Sequence, residues 1–287
     1  MSTMIALLIV LSTLVGCAGE ALTNVKNAQR PPAAAITLLV EVETYEDTVR
    51  DEDGAVLAEC SYGLPVMRAL LEDGTPLEEA ASPEQEEALA AAETFNARFG
   101  QWKGNAQTLA ESAREDRAFR NEAGLEPVAY TDDLQCSVYQ TERLVSVRGL
   151  YSTYTGGAHP NSILMSWNFD VEAGEFFEPE ILDEGTDLRE YVHLALMSQA
   201  RQTAAGMGVK PEEYYWEDYS AILKDWSSYA VSFDRDGMTV GFSPYELGAY
   251  ALGPQVFQIP YEGELYDHLG EHGRTLLGLC PAEETAE

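Results

Sequence analysis

Basic residues are scarce in this chain. Of its 287 residues only 17 are Lys or Arg, whereas 49 are Asp or Glu, so the formal net charge is −32. A nucleic-acid-binding surface needs Lys and Arg in excess to neutralise phosphates, and the sequence contains no basic run. We therefore exclude a nucleic-acid partner. The acidity favours cationic partners, although an acidic surface that only keeps the protein soluble is an equally open interpretation.

Motifs of common enzymes and metal sites are also lacking. The sequence has no Gly-x-Ser-x-Gly, no His-Glu-x-x-His, no phosphate loop and no Gly-x-Gly-x-x-Gly. Of its four histidines, His268 and His272 stand four residues apart, a spacing that can place two imidazoles on one helix face. No third ligand lies near them, so a solvated helix end is the favoured interpretation. We expect no metal, no cofactor and a non-enzymatic function.

Cysteines are few, and they separate into two groups. Cys17 follows an apolar run, whereas Cys60, Cys136 and Cys280 lie in the body of the chain. An odd number allows at most one internal disulfide among these three. Cys60 and Cys136 each alternate with apolar neighbours on a predicted strand, so buried free thiols are an equally open interpretation.

The N-terminus is typical of a bacterial leader. The apolar run from Met4 to Val15 is too short to span a bilayer, which takes about 20 residues, but it suits the apolar region of a signal peptide. It ends in Leu14-Val15-Gly16-Cys17, which resembles a lipobox. That resemblance implies a lipid on Cys17, cleavage before it, and a lipid-anchored protein on the extracytoplasmic face of the cell membrane. A plain signal peptide or a buried N-terminal helix are the alternatives.

Local patterns predict strands and one long helix in the first half of the fold. Residues 18–35 form a polar, Ala-rich linker with two adjacent prolines, so the fold should begin at Ile36. Two strands, 36–45 and 55–62, should form a hairpin around a turn that ends in Gly54. Ser82 is the expected N-cap of a helix that continues to about Asn121. Its apolar stripe includes buried aromatic side chains at Phe95, Phe99 and Trp102.

The remainder alternates between strands and helices. Strands are expected at 135–139, 144–155, 163–171, 176–177, 229–233, 238–242 and 256–259. Helices are expected at 187–203, 210–226 and 261–269, and residues 281–287 should form an acidic tail. Antiparallel hairpins dominate this order and no βαβ unit is expected, so the predicted fold class is α+β, with helices packed on an antiparallel sheet.

Two segments stand out as candidate functional regions. The first, YSTYTGGAHPN, ends at Asn161 and contains His159 beside two glycines. Gly156 and Gly157 are the expected structural residues of a tight loop, and His159 either serves a ligand or bonds only to its own loop. The second segment, FSPYELGAYALGP, begins at Phe242 and crowds aromatic and turn residues after a strand. In it we single out Pro244, Tyr245 and Tyr250.

Together with the strand-helix end VFQIPYEGELYDHL, these segments resemble the extracellular module shared by the anti-sigma factor RsiV and the peptidoglycan deacetylase PdaC. The resemblance covers about residues 36–269, with a PdaC-like half at 36–161 and an RsiV-like half at 162–280. It implies an α+β module outside the membrane, which in the anti-sigma factor is a receptor for lysozyme. No sigma-binding segment, spanning helix or deacetylase Asp-Asp motif is found here, so signalling and deacetylation are not implied.

These features predict a surface-exposed, lipid-anchored binding module. Its partner would be a cationic protein of the lysozyme type, or cell-wall glycan (peptidoglycan). The candidate ligand-binding residues are His159, Asn161, Pro244, Tyr245 and Tyr250. Two alternatives remain: a hydrolase that acts on cell-wall polymer with carboxylates and His159, and a structural envelope lipoprotein.

Overall fold

The computed structural model describes residues 36–262 and 264–279, which form two antiparallel-rich sheets and seven α-helices in that part of the chain. The elements of the first half are β1 (Thr37–Arg50), β2 (Val56–Leu70), α1 (Pro83–Gly100), α2 (Asn105–Ala123), β3 (Tyr130–Gln140), β4 (Leu144–Tyr154), β5 (Asn161–Asp170) and β6 (Glu175–Phe177). Those of the second half are α3 (Leu188–Gly206), α4 (Pro211–Tyr214), α5 (Tyr219–Ile222), β7 (Ala230–Phe233), β8 (Gly237–Phe242), β9 (Gln255–Pro260), α6 (Glu264–His268) and α7 (Glu271–Leu276). This confirms the α+β class.

Strand order follows the sequence in both sheets. The larger sheet has the order β1-β2-β3-β4-β5-β6 and the smaller one β7-β8-β9. All ladders of the described chain are antiparallel except that between β2 and β3, which is parallel. A parallel pair needs a crossover connection, and α1 with α2 provides it. The expectation that no such unit exists was therefore wrong.

The predicted helix from Ser82 to Asn121 is interrupted. Ser82 does cap α1, with its hydroxyl accepting from the Gln85 N–H at 3.3 Å. However, α1 ends at Gly100, and α2 begins only after Gly104, whose φ is +101°. A left-handed residue cannot continue a right-handed helix, and Gly adopts this conformation without steric cost. The continuous helix was therefore a wrong prediction, although the apolar stripe does face the sheet.

Aromatic rings dominate the first core, which α1 closes against the larger sheet. Phe95 is 0% exposed and Phe99 is 1% exposed, as predicted, whereas Trp102 is only half-buried. The Phe95 ring centroid lies 5.1 Å from that of Phe99, 5.3 Å from Phe169 and 5.7 Å from Phe176. Such offset and edge-on contacts add to the burial energy of the rings.

A polar seam joins the larger sheet to the smaller one. The Ser146 hydroxyl donates to Asn168 Oδ1 at 2.8 Å and accepts from the Phe233 N–H at 2.8 Å. The Asn168 amide nitrogen donates to the Val231 carbonyl at 2.9 Å. Because these buried groups hydrogen-bond to one another, the cost of desolvating them is offset where β7 packs against β4 and β5. The second core lies beyond this seam, between the smaller sheet and α3.

Two predictions in the second half were wrong in detail. Residues 210–226 form α4 and α5, followed by a 3₁₀ turn at Trp226–Ser228, and not one helix. The break occurs because the Trp216 N–H donates to the distant Leu247 carbonyl at 3.0 Å. Tyr215 and Tyr219, which are four residues apart, are nevertheless both buried. The helix predicted at 261–269 is the shorter α6. A further helix, α7, follows it and was not predicted.

A buried carboxylate and two thiols complete the first core. Asp132 is 4% exposed and accepts hydrogen bonds from Tyr62 and Tyr151, each at 2.5 Å. Cys60 and Cys136 are free thiols, so no disulfide joins them. Burial raises the pKa of the Cys136 thiol to about 12, which keeps it protonated and unreactive at neutral pH.

Several predictions fall outside the described residues. These are the leader with Cys17, the linker at 18–35, Cys280 and the acidic tail at 281–287. The proposed division at residue 161 falls at the first residue of β5, which is paired with β4. Among the described residues, no helix is both long enough and apolar enough to cross a bilayer.

Candidate functional site

The loop between β4 and β5 has the backbone that its glycines predict. Gly156 has φ +91° and Gly157 has φ +119°, a region that side chains with Cβ rarely adopt. A Cβ on Gly156 would also lie 2.7 Å from Arg120 Nη2. The Tyr154 hydroxyl donates to the Gly157 carbonyl at 3.0 Å and ties the loop to the end of β4. This hydrogen bond anchors the loop that carries His159.

His159 brings the two candidate segments together. Its ring stacks on that of Tyr250, with centroids 3.6 Å apart and planes 16° apart. His159 Nδ1 lies 2.9 Å from the Pro160 carbonyl, and Nε2 lies 3.2 Å from the Tyr245 hydroxyl. A carbonyl can only accept, so in the neutral ring Nδ1 carries the hydrogen and Nε2 accepts from Tyr245. The Tyr250 hydroxyl donates to the same carbonyl at 3.0 Å.

Tyr245 occupies an unusual backbone conformation. Its φ is +73°, and it is one of two residues other than Gly with positive φ in the described chain. For a bulky residue this costs about 1–3 kcal/mol and is found mostly at functional sites. Its carbonyl accepts from the Trp216 indole N–H at 2.8 Å. Tyr245 is 53% exposed and Trp216 is 39% exposed, so both rings present area to solvent.

The sequence-predicted residues therefore meet only in part. His159, Tyr245 and Tyr250 are in mutual contact, and Pro244 is half-buried directly before Tyr245. Asn161 is exposed at the start of β5, opposite Thr153, and its side chain makes no hydrogen bond within the described chain. Trp216 is a further residue of this region, and nothing local in the sequence indicates that its indole reaches a carbonyl 29 residues away.

Carboxylates follow these aromatic residues in the chain. Glu217 and Asp218 follow Trp216 directly, Glu246 follows Tyr245, and all three are exposed. Within residues 36–262 and 264–279, none of them forms an ion pair, and Glu246 accepts a hydrogen bond from the Ser243 N–H. We call this set the aromatic–acidic surface. It comprises His159, Trp216, Glu217, Asp218, Tyr245, Glu246 and Tyr250.

The histidines near the C-terminus have structural contacts. His268 stacks on Tyr191 with centroids 4.6 Å apart, and its Nδ1 lies 3.0 Å from the Thr186 carbonyl. In the part of the chain that the structure describes, no group of three His, Cys, Asp or Glu side chains is placed to hold a metal ion. His268 therefore fastens α6 to the start of α3.

The glycine loop allows a test that separates folding from surface chemistry. Gly157→Ala should lower the free energy of unfolding by about 1–2 kcal/mol, because Ala is strained at this φ although its Cβ would meet no neighbour. His159→Ala should cost less, since the ring is exposed and stacks only at the surface. Urea denaturation of both variants measures the difference. Equal losses would mean that His159 is as structural as the glycine.

Comparison with known proteins gives a family for part of the chain. Residues 175–262 match the model of a family described as a protein of unknown function, DUF3298. No curated protein matches the chain. A solved DUF3298 protein from Bacteroides fragilis is 17% identical, with a TM-score of 0.54, over 85% of this chain and 98% of that chain. A solved DUF3298 protein from Pseudomonas aeruginosa is 16% identical, with a TM-score of 0.47, over 82% of this chain and 95% of that chain. Residues 175–262 thus match DUF3298, and the chain shares the overall fold of a solved DUF3298 protein.

Proposed function

We propose that this protein is a lipid-anchored binding module of the cell surface that recognises a cationic extracellular protein of the lysozyme type. One observation carries the proposal. The His159 loop and the Tyr245–Tyr250 segment, which are remote in sequence, meet in one exposed cluster, and exposed carboxylates follow Trp216 and Tyr245 directly in the chain. The RsiV/PdaC-like character of these segments and the lipidation of Cys17 are part of the proposal.

The composition of the surface suits a basic partner. Interface energy is concentrated in a few aromatic or Arg anchors that water cannot reach once the complex forms. Tyr245, Tyr250 and Trp216 provide such anchors, and each is held in place by a hydrogen bond that leaves ring area exposed. Glu217, Asp218 and Glu246 would then face the cations of the partner at the rim. A net charge of −32 also accelerates encounter with a basic protein at low ionic strength.

The aromatic side chains of this surface are held rigidly, which favours specific binding of a partner protein. A side chain that is already fixed loses little conformational entropy on binding. The Tyr245 backbone is held in a conformation that costs energy, and its hydroxyl and carbonyl are both bonded. Trp216, Tyr245 and Tyr250 lie inside the region that matches DUF3298, whereas His159 lies outside it. The surface is therefore built from both halves of the fold.

The experiment is a binding titration of the purified full chain with a c-type lysozyme at low salt. Tyr245→Ala should weaken the complex by about 2 kcal/mol or more, which is about 30-fold in Kd, because it removes a central anchor. The matched control is Phe119→Ala, since Phe119 is 65% exposed on α2 and belongs to no part of this surface. Raising the salt concentration should slow association more than it speeds dissociation.

Two results would contradict the proposal. If the protein binds no c-type lysozyme at low salt, the proposed partner is wrong. Binding that disappears at moderate salt and is equal in Tyr245→Ala, Tyr250→Ala and Phe119→Ala reduces the effect to non-specific charge attraction.

A further inference from the structure

A cleft of about 360 Å³ opens where β6 ends, between the two cores. Its volume falls in the range of about 300–1,000 Å³ that is typical of small-molecule sites. Residues of α1, β5, β6 and the segment 226–231 line it, and none of them belongs to the aromatic–acidic surface. We call it the β5-edge cleft. Any ligand here is therefore separate from the proposed protein partner.

The floor of the cleft exposes unpaired backbone groups. β5 pairs with β4 along its whole length but with β6 only from Asn168 to Asp170. The Leu164 N–H is directed away from β4, because it donates to Ser243 Oγ at 3.1 Å. Backbone groups alternate between the two edges of an antiparallel strand, so the N–H and C=O of Ser166 are directed the same way. Neither has a partner in the described chain.

Between Leu164 and Asn168, Ser166 is the one residue whose N–H and C=O both face this edge without a partner in the described chain. Ser243 occupies the Leu164 N–H, and β6 occupies the edge at Asn168 through Phe177. An extended peptide that adds to a sheet needs several consecutive pairs, so the gap does not suit a peptide strand. It suits a small group that accepts one hydrogen bond and donates another from adjacent atoms. Two neighbouring hydroxyls of a sugar ring have this arrangement.

The walls suit the rest of a sugar. Phe176 is half-buried at the cleft, whereas Trp167 and Trp226 are only 7% and 8% exposed, so these three residues offer a small apolar surface for the C–H face of a ring. Arg98 and Glu178 are exposed among the lining residues and provide a donor and an acceptor for outer hydroxyls. The Arg98 guanidinium lies over the Phe176 ring at 5.9 Å and forms no ion pair within residues 36–262 and 264–279, despite the excess of acids.

From this geometry we infer that the β5-edge cleft binds one pyranose ring of an oligosaccharide, with the Ser166 N–H donating to one ring hydroxyl and the Ser166 C=O accepting from its neighbour. The aromatic walls hold the apolar face of the ring, and Arg98 and Glu178 contact hydroxyls at the mouth. No residue of the aromatic–acidic surface lines this cleft. Sugar binding can therefore be tested independently of lysozyme binding.

The first test records ¹⁵N–¹H spectra of the full chain in a detergent without a sugar headgroup. The probes are cellotriose, N,N′,N″-triacetylchitotriose and an N- and C-capped trialanine peptide. We expect at least one trisaccharide to shift the Ser166 amide signal and the peptide to leave it unchanged. The two trisaccharides distinguish a plain hexose from an acetamido sugar. A Ser166 signal that moves with the peptide alone, or with no probe at millimolar concentration, would overturn the inference.

The second test separates the backbone donor from the side chain. Ser166→Pro removes the N–H, whereas Ser166→Ala keeps it, so the trisaccharide should bind about tenfold more weakly to the first and within about threefold to the second. Arg98→Ala should also weaken binding, and Arg201→Ala, an exposed Arg outside the cleft, should not. If Ser166→Pro fails to fold, the comparison of Arg98→Ala with Arg201→Ala decides the result. All folded variants should bind lysozyme as the parent protein does. Equal sugar affinity in all folded variants would contradict sugar binding in the β5-edge cleft.

Discussion

Phe99→Ala should lower the free energy of unfolding by about 3–5 kcal/mol, the range found when a buried aromatic ring is truncated. Phe99 is 1% exposed, and its ring centroid lies 5.1 Å from both Phe95 and Trp167. The cavity left by the ring cannot close, because α1 is fastened nearby. The Asn96 side chain exchanges two hydrogen bonds of 2.8 Å with the backbone of Met67 on β2. The lining of the cavity therefore loses contacts without recovering them.

The control is the same substitution on the solvent side of the neighbouring helix. Phe119 is 65% exposed on α2, so Phe119→Ala should change the free energy of unfolding by less than about 0.5 kcal/mol. Urea denaturation of both variants, monitored by circular dichroism, compares them directly. A loss below about 1 kcal/mol for Phe99→Ala would mean that this face of α1 does not form the core.

Asp132→Ala should cost about 3 kcal/mol or more in the free energy of unfolding, because it removes the acceptor of the buried Tyr62 hydroxyl and of the partly buried Tyr151 hydroxyl. Tyr62 is 0% exposed and has no access to water that could replace the carboxylate. A hydrogen bond to a charged group contributes about 1.5–3 kcal/mol, and an unsatisfied buried donor adds its own desolvation penalty. Asp133→Ala is the control, since Asp133 lies on the opposite face of the same strand and its side chain makes no hydrogen bond within the described chain. Its loss should stay within about 1 kcal/mol. Equal losses of unfolding free energy in both variants would mean that the hydrogen bonds from Tyr62 and Tyr151 to Asp132 do not stabilise the fold.

The same hydrogen bonds to Asp132 make the stability of the fold depend on pH in the alkaline range. Burial first, and then the hydrogen bond to Asp132, raise the pKa of Tyr151 to about 12. They raise the pKa of Tyr62 as well. An unfolded tyrosine titrates near pH 10, so the fold favours the protonated phenol. This contribution to stability is complete below about pH 10 and is lost as the pH rises through about 12. Denaturation midpoints measured across this window should fall, and in Asp132→Ala the Tyr151 phenol should ionise at a lower pH.

Local signals in the sequence predicted much of the fold. The apolar stripe through Phe95 and Phe99, the Ser82 cap and the turn at Gly54 depend on residues within a few positions of one another. Burial periodicity, helix capping and positive φ are set by residues this close in sequence, so the predictions of these elements were correct. The spacing of four residues between Tyr215 and Tyr219 likewise agrees with their burial, although the helix expected at 210–226 is broken.

The tertiary structure decided the rest, because contacts between distant segments outweigh local helix propensity. Trp216 leaves the helical pattern because its N–H and indole find carbonyls at Leu247 and Tyr245. The parallel pairing of β2 with β3 depends on a crossover whose ends lie far apart in sequence.

For the candidate site, the sequence by itself determined which residues were of interest: two glycines that require positive φ, a histidine beside them, and aromatic residues in a turn-rich segment. Only the folded chain decided that His159 stacks on Tyr250 and that Tyr245 carries the strained backbone. The open edge at Ser166 had no sequence signal at all, since it exists only where β6 ends and Ser243 begins to cover β5. Side-chain patterns report which face of an element is buried. Which edge of a strand stays unpaired depends on where its neighbours end, and that is a property of the assembled sheet.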